Sequence, residues 1–119
     1  MEELLFEGWK KQCTITLVNG DRYCAIGWLG TKICPELWAK YLLDNTRGEA
    51  ISAAVSANPT VVAITDEIRK VYCLHHGKRE TKEILWWAND TKRLQPEDFL
   101  EIERTVRSRQ HEIESTNQL

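Results

Sequence analysis

Thr14-Ile15-Thr16-Leu17-Val18-Asn19-Gly20-Asp21-Arg22-Tyr23-Cys24-Ala25-Ile26 is the stretch that decides the fold class. Its first arm, Thr14 to Val18, is β-branched and alternating. Asn19-Gly20 follows, and Asn-Gly supplies the two positive-φ residues that a tight hairpin turn requires. The second arm, Tyr23 to Ile26, also carries the opposite signal. Gly27 and Gly30 interrupt it, and the pairs Cys24/Trp28 and Ala25/Leu29 stand at helical i,i+4 spacing.

Outward from this stretch, helical signals dominate. Pro35 suits the first turn of a helix, and Leu37, Trp38, Tyr41 and Leu42 make one apolar stripe that ends at Asp44-Asn45. Thr46-Arg47-Gly48-Glu49 has capping-box spacing and opens a small-residue helix with Ala50, Ile51, Ala54 and Val55 inward. Asn58-Pro59 begins a new element. Val61, Ile64, Ile68 and Val71 favour a helix there, against local strand formers in Val61-Val62 and Ile64-Thr65. Val71-Tyr72-Cys73-Leu74 and Ile84-Leu85-Trp86-Trp87 either pair as a second hairpin or the latter opens a helix. From Pro96 the periodicity of Phe99, Ile102, Val106 and Ile113 specifies a helix, with Leu94 placed to staple its start and Glu97-Asp98 on the positive end of its dipole. The expectation is a helix-rich α+β fold with one or two short β-hairpins packed on three or four helices. One domain over 1–114 precedes a frayed polar tail over 115–119.

The chain of 119 residues is long enough to bury one core without staples. Its 42% hydrophobic and 29% charged residues exclude a disordered chain, and no apolar run approaches a membrane span. The start Met1-Glu2-Glu3-Leu4-Leu5 is acidic and lacks the features of a secretory signal, which implies a cytoplasmic protein. Cys13, Cys24, Cys34 and Cys73 then read as reduced thiols.

The net charge of −2 conceals a basic stretch. From Arg69 to Arg93, Arg69, Lys70, Lys78, Arg79, Lys82, Lys92 and Arg93 outweigh Glu80, Glu83 and Asp90, a local excess of +4. Such a stretch on an acidic chain argues against extended nucleic-acid binding and leaves room for one focused anion site, against the blander reading of a solvated mixed-charge surface. Trp86 and Trp87 are adjacent in it, so they face different directions in a strand or a helix. The outward one, flanked by Lys82, Lys92 and Arg93, is suited to a flat anionic ligand or an acidic partner surface.

Other chemistry finds less support. Cys73, His75 and His76 lack the paired spacing of a zinc site, so no metal is expected. Cys24 has no histidine partner in sequence, and no phosphate loop or dinucleotide fingerprint is present, so no catalytic residue and no cofactor are assigned. Carboxylate pairs such as Glu97-Asp98 and Glu101-Glu103 read as capping, dipole and solvation residues.

Two blocks carry a resemblance. The first is Leu5-Phe6-Glu7-Gly8-Trp9-Lys10-Lys11, followed by Asn19-Gly20-Asp21-Arg22-Tyr23-Cys24-Ala25-Ile26-Gly27-Trp28-Leu29. The second is Ala88-Asn89-Asp90-Thr91, followed by Pro96-Glu97-Asp98-Phe99-Leu100-Glu101-Ile102. Together they resemble a group of small phage, prophage and actinobacterial proteins of unknown function. That group has an aromatic-Cys-x-x-Gly-x-Leu block, then an Asn-Asp turn and an acidic helix. Members often have a second cysteine where this chain has Ala25. The resemblance implies a helix-rich fold and a mobile-element origin, hence the host cell cytoplasm, and no known active site. If its two blocks meet in space, Cys24, Gly27, Trp87, Asn89 and Asp90 make a pocket wall.

The leading functional expectation is a non-enzymatic phage-type accessory protein that binds and blocks a host factor, as in counter-defence. The alternatives are a protein that sequesters a nucleotide-like small molecule, and a small enzyme using Cys24 or His75. Candidate ligand- or partner-binding residues are Trp86, Trp87, Asn89, Asp90, Lys82, Lys92, Arg93, Cys24 and Gly27. The expected partners are a host protein or a small anionic ligand, with no membrane. The C-terminal helix favours a homodimer. A protein partner requires an exposed apolar patch, and sequestration requires a cleft with a Trp wall and a basic rim.

Overall fold

The computed structural model describes residues 4–11, 18–44, 48–72, 80–91 and 93–117, with side chains placed in these apart from Val18 and 111–117. Among them are six helices: α1 (Ala25–Ile33), α2 (Pro35–Asp44), α3 (Gly48–Ala57), α4 (Pro59–Tyr72), α5 (Thr81–Asp90) and α6 (Pro96–Asn117). The fold is a helical bundle, and this overturns the expected α+β class with its three or four helices. Among the described residues the β content is one antiparallel ladder, β1 (Val18–Asn19) against β2 (Arg22–Tyr23), two residues long on each side, and a single parallel bridge between Lys11 and Tyr23. It forms no layer for helices to pack on. The turn is made by Gly20 at φ +66 together with Asp21. The expected second arm ends at Tyr23 because Cys24 caps α1, where the i,i+4 signal prevails. The Cys24 Sγ accepts from the Gly27 N–H at 3.3 Å.

Of the two readings left open for 71–74 and 84–87, the helical one is formed: Ile84, Leu85, Trp86 and Trp87 lie inside α5, Val71 and Tyr72 end α4, and Cys73 and Leu74 lie outside the described residues. Val61, Ile64, Thr65 and Ile68 are buried at i, i+3, i+4 and i+7 in α4, a face that only a helix provides. Ile84, Leu85 and Ala88 do the same in α5. Helix starts follow side-chain chemistry. Asn58 Oδ1 accepts from the N–H groups of Thr60 and Val61 at 3.0 and 3.1 Å, with Pro59 at the first helical position. At α6, the Gln95 N–H donates to Asp98 Oδ2 at 2.7 Å, and Leu94 and Phe99 flank the start as fully buried residues. Three apolar expectations fail locally: Leu42 is exposed at the end of α2, Ala50 on α3, and Val71 at the end of α4. The Thr46 capping box, Cys13, Cys73, His75, His76 and the side chains of His111 and Ile113 lie outside the described residues.

The core runs through all six helices. α1 lies against α2, α3 and α5, and α4 against α3, α5 and α6. At the α1–α3 contact, a Cβ on Gly30 would stand 2.7 Å from Ile51 Cγ2, so this approach needs glycine. Phe6, Trp9 and Phe99 form a ring cluster with centroids 4.9 to 5.4 Å apart. The indole of Trp9 donates to Tyr23 O at 2.7 Å and that of Trp28 to Leu5 O at 2.7 Å. Four of the five tryptophans are therefore wholly or partly packed, and the aromatic content is largely spent on the core.

Glu103 departs from its expected role as a solvated helix acid. It is fully buried, accepts from the N–H groups of Leu5 and Phe6 at 2.6 and 3.0 Å, and pairs with Arg107 Nε at 2.8 Å. The carboxylate thus pins the N-terminal turn onto α6. Lys11 plays a similar part at the end of α5, donating to the carbonyls of Thr91 at 2.7 Å, Ala88 at 3.4 Å and Leu94. No helix among the described residues is long and apolar enough to cross a membrane.

Candidate functional site

A cleft of about 1050 Å³ opens between α2, α3, α4 and α5. The sequence places its walls by periodicity. On α3, Ile51 and Val55 turn into the core, which leaves Ser52 and Ser56, four residues apart, to face the cleft above Gly48 and Ala53. On α5, Ile84, Leu85 and Ala88 face inward, so Thr81, Lys82 and Trp86 turn to the cleft. Tyr41 from α2, Arg69 from α4 and Glu49 from the first turn of α3 complete the rim, with Glu80 before α5.

Trp86 is 49% exposed, and Lys82 Nζ stands 5.9 Å from its ring centroid. The cations of the rim are paired with carboxylates. Lys82 Nζ lies 3.6 Å from Glu80 Oε2, and Arg69 Nη1 is 2.6 Å from Asp66 Oδ1, one turn away on its own helix. Ser56 Oγ is buried and has no hydrogen-bond partner among the described residues, so its hydrogen-bonding capacity is unmet.

Of the candidate binding residues read from the sequence, Trp86 and Lys82 meet in this cleft. The other candidates among the described residues are elsewhere. Trp87 diverges from Trp86 and packs half-buried against Tyr72, centroids 5.7 Å apart, with Arg93 Cζ 5.1 Å from the Tyr72 ring. Lys92 lies outside the described residues. The two resembling blocks do meet, at the start of α1, but they build a buried cap and not a pocket wall. Asn89 Oδ1 accepts from the Ala25 N–H at 2.8 Å, and Asn89 Nδ2 donates to Asp90 Oδ1 at 3.2 Å. Asn89 and Asp90 close α5 as helical residues, where a turn was expected. Gly27 is buried in α1, its N–H spent on Cys24. Burial raises the Cys24 thiol above its ordinary pKa despite the N–H groups of Gly27 and Ile26, and the Asp90 carboxylate pushes the same way. That thiol is a capping group, not an activated nucleophile. Cys24 and Cys34 are free thiols. Among the described residues no three His, Cys, Asp or Glu side chains gather as metal ligands.

Sequence reasoning missed Ser52, Ser56, Tyr41 and Glu49 as cleft residues. The two serines at i,i+4 on a helix whose other polar side chain is Glu49 were the available signal. No family model, no curated protein and no solved structure matches this chain.

Proposed function

We propose that this chain is a non-enzymatic binding protein that sequesters a nucleotide-like small molecule in the cleft between α2, α3, α4 and α5. The observation that carries the reading is Trp86, a half-exposed indole on the wall of a cleft large enough for such a ligand. An exposed indole beside hydroxyls and paired charges gives a flat ring a surface to stack on and polar groups to orient it. The thiol of Cys24, spent on a helix cap, supports binding over catalysis. Native mass spectrometry of the full chain against a library of nucleotides and related compounds tests this. A one-to-one adduct that is lost on Trp86→Ala is expected. Bare chain against the whole library contradicts it.

A second reading is a phage-type accessory protein that blocks a host factor in the host cytoplasm, the origin that the resembling blocks imply. It is favoured by Leu42 and Leu43, 59% and 87% exposed at the end of α2. A second copy of the chain, docked through α6, is a further partner under this reading. Leu43→Glu abolishes binding in a protein-partner mode and leaves the cleft ligand unaffected.

A further inference from the structure

We infer that the cleft reads an uncharged heterocycle and its sugar, a nucleoside, and does not read a phosphate group. This rests on the small-molecule reading above and narrows it. The basic stretch that suggested an anion has its cleft-facing cations engaged: Arg69 with Asp66 at 2.6 Å, and Lys82 with Glu80 at 3.6 Å. On the rim itself Glu49 and Glu80 balance Arg69 and Lys82. The two helix starts that face the cleft already carry acids in their first turns, Glu49 in α3 and Glu83 in α5, which answer the helix dipole without a ligand. A phosphate bearing a charge of about −1.5 to −2 would enter a field with no net attraction and pass beside two carboxylates.

The remaining chemistry suits a neutral ring. Ser56 Oγ is buried without a partner, and Ser52 stands one turn away on the same face. Withdrawing a hydroxyl from water unpaired is unfavourable, and a ligand atom that bonds it relieves this. Glu49 only accepts hydrogen bonds, so it wants donors. Sugar hydroxyls and exocyclic amines supply them, while an ionised phosphate supplies none. Trp86 offers a π-face that any base can stack on.

Isothermal titration of the full chain with adenosine, guanosine, cytidine and uridine, with each 5′-monophosphate, and with inorganic phosphate tests the inference. At least one nucleoside is expected to bind, its monophosphate about threefold or more weaker. Ser56→Ala weakens that nucleoside about fivefold without lowering Tm, because the hydroxyl has no partner in the fold. Trp86→Ala weakens it about tenfold or more. A monophosphate that binds tighter than its nucleoside overturns the inference and leaves the cleft reading standing. So does phosphate binding with no nucleoside binding. Nucleoside binding that ignores Trp86→Ala rejects the cleft reading itself. Failure of every nucleoside to bind, or a clear fall in Tm for Ser56→Ala, rejects the inference.

Discussion

Replacing Glu103 by Ala removes the acceptor for two backbone donors, the N–H groups of Leu5 at 2.6 Å and Phe6 at 3.0 Å. It also strips Arg107 of its 2.8 Å partner. A buried donor left unsatisfied costs about 1–3 kcal/mol, and loss of the ion pair adds less than the about 3–5 kcal/mol of a wholly buried pair, because the Arg107 side chain is partly exposed. The loss extends through Phe6, whose ring meets Trp9 and Phe99, so the N-terminal turn loosens from the core. Against a total stability of about 5–15 kcal/mol, that loss is a large fraction of the fold's margin. Glu103→Gln keeps one carbonyl acceptor and turns an amide donor toward the other N–H, so its cost falls between zero and that of Ala, at about 1–3 kcal/mol. Urea unfolding followed by circular dichroism gives both values. A loss below about 1 kcal/mol for Glu103→Ala, the size of an ordinary surface change, refutes the clamp.

Two further predictions concern the fold. Gly30→Ala forces a Cβ against Ile51 Cγ2, and overpacking of about 1–3 kcal/mol outweighs the gain of about 1 kcal/mol in helix propensity. A lower urea midpoint is expected, and a raised one refutes the tight α1–α3 contact. Burial raises the thiol pKa of Cys24 and of Cys34 above the unfolded value. Their contribution is therefore full below the unfolded thiol's pKa of about 8.5 and is lost as pH rises through the higher folded values. Stability measured across the alkaline range should fall less steeply in Cys24→Ser, which keeps a capping atom but no titrating thiol. Identical slopes contradict this.

Some of the fold was legible because its signals are local. Asn58-Pro59 and Pro96 mark helix starts through groups within four residues of each other, and those starts stand. The β reading failed at Cys24, Ala25 and Ile26, where the second hairpin arm gave way to the cap and first turn of α1. At 60–71 the helical reading held against strand formers such as Val62, because Val61, Ile64 and Ile68 share one buried helical face. Glu103 was illegible because its partners lie 97 and 98 residues away. Of the site, Trp86 and Lys82 were readable from one helix. Arg69, Ser56 and Tyr41 join them only once α2, α3, α4 and α5 have packed, which no single stretch records.

Indole N–H signals in a nitrogen-15 NMR titration test the central claim most directly, since the chain has five tryptophans in distinct settings. The Trp9 and Trp28 indoles are tied to Tyr23 O and Leu5 O, and Trp86 stands half-exposed on the cleft. With the four nucleosides and their monophosphates added in turn, the Trp86 signal is predicted to move with at least one of them while those of Trp9 and Trp28 hold still. A Trp86 signal unmoved by every one of these ligands, or a shift confined to Trp9 and Trp28, contradicts the account.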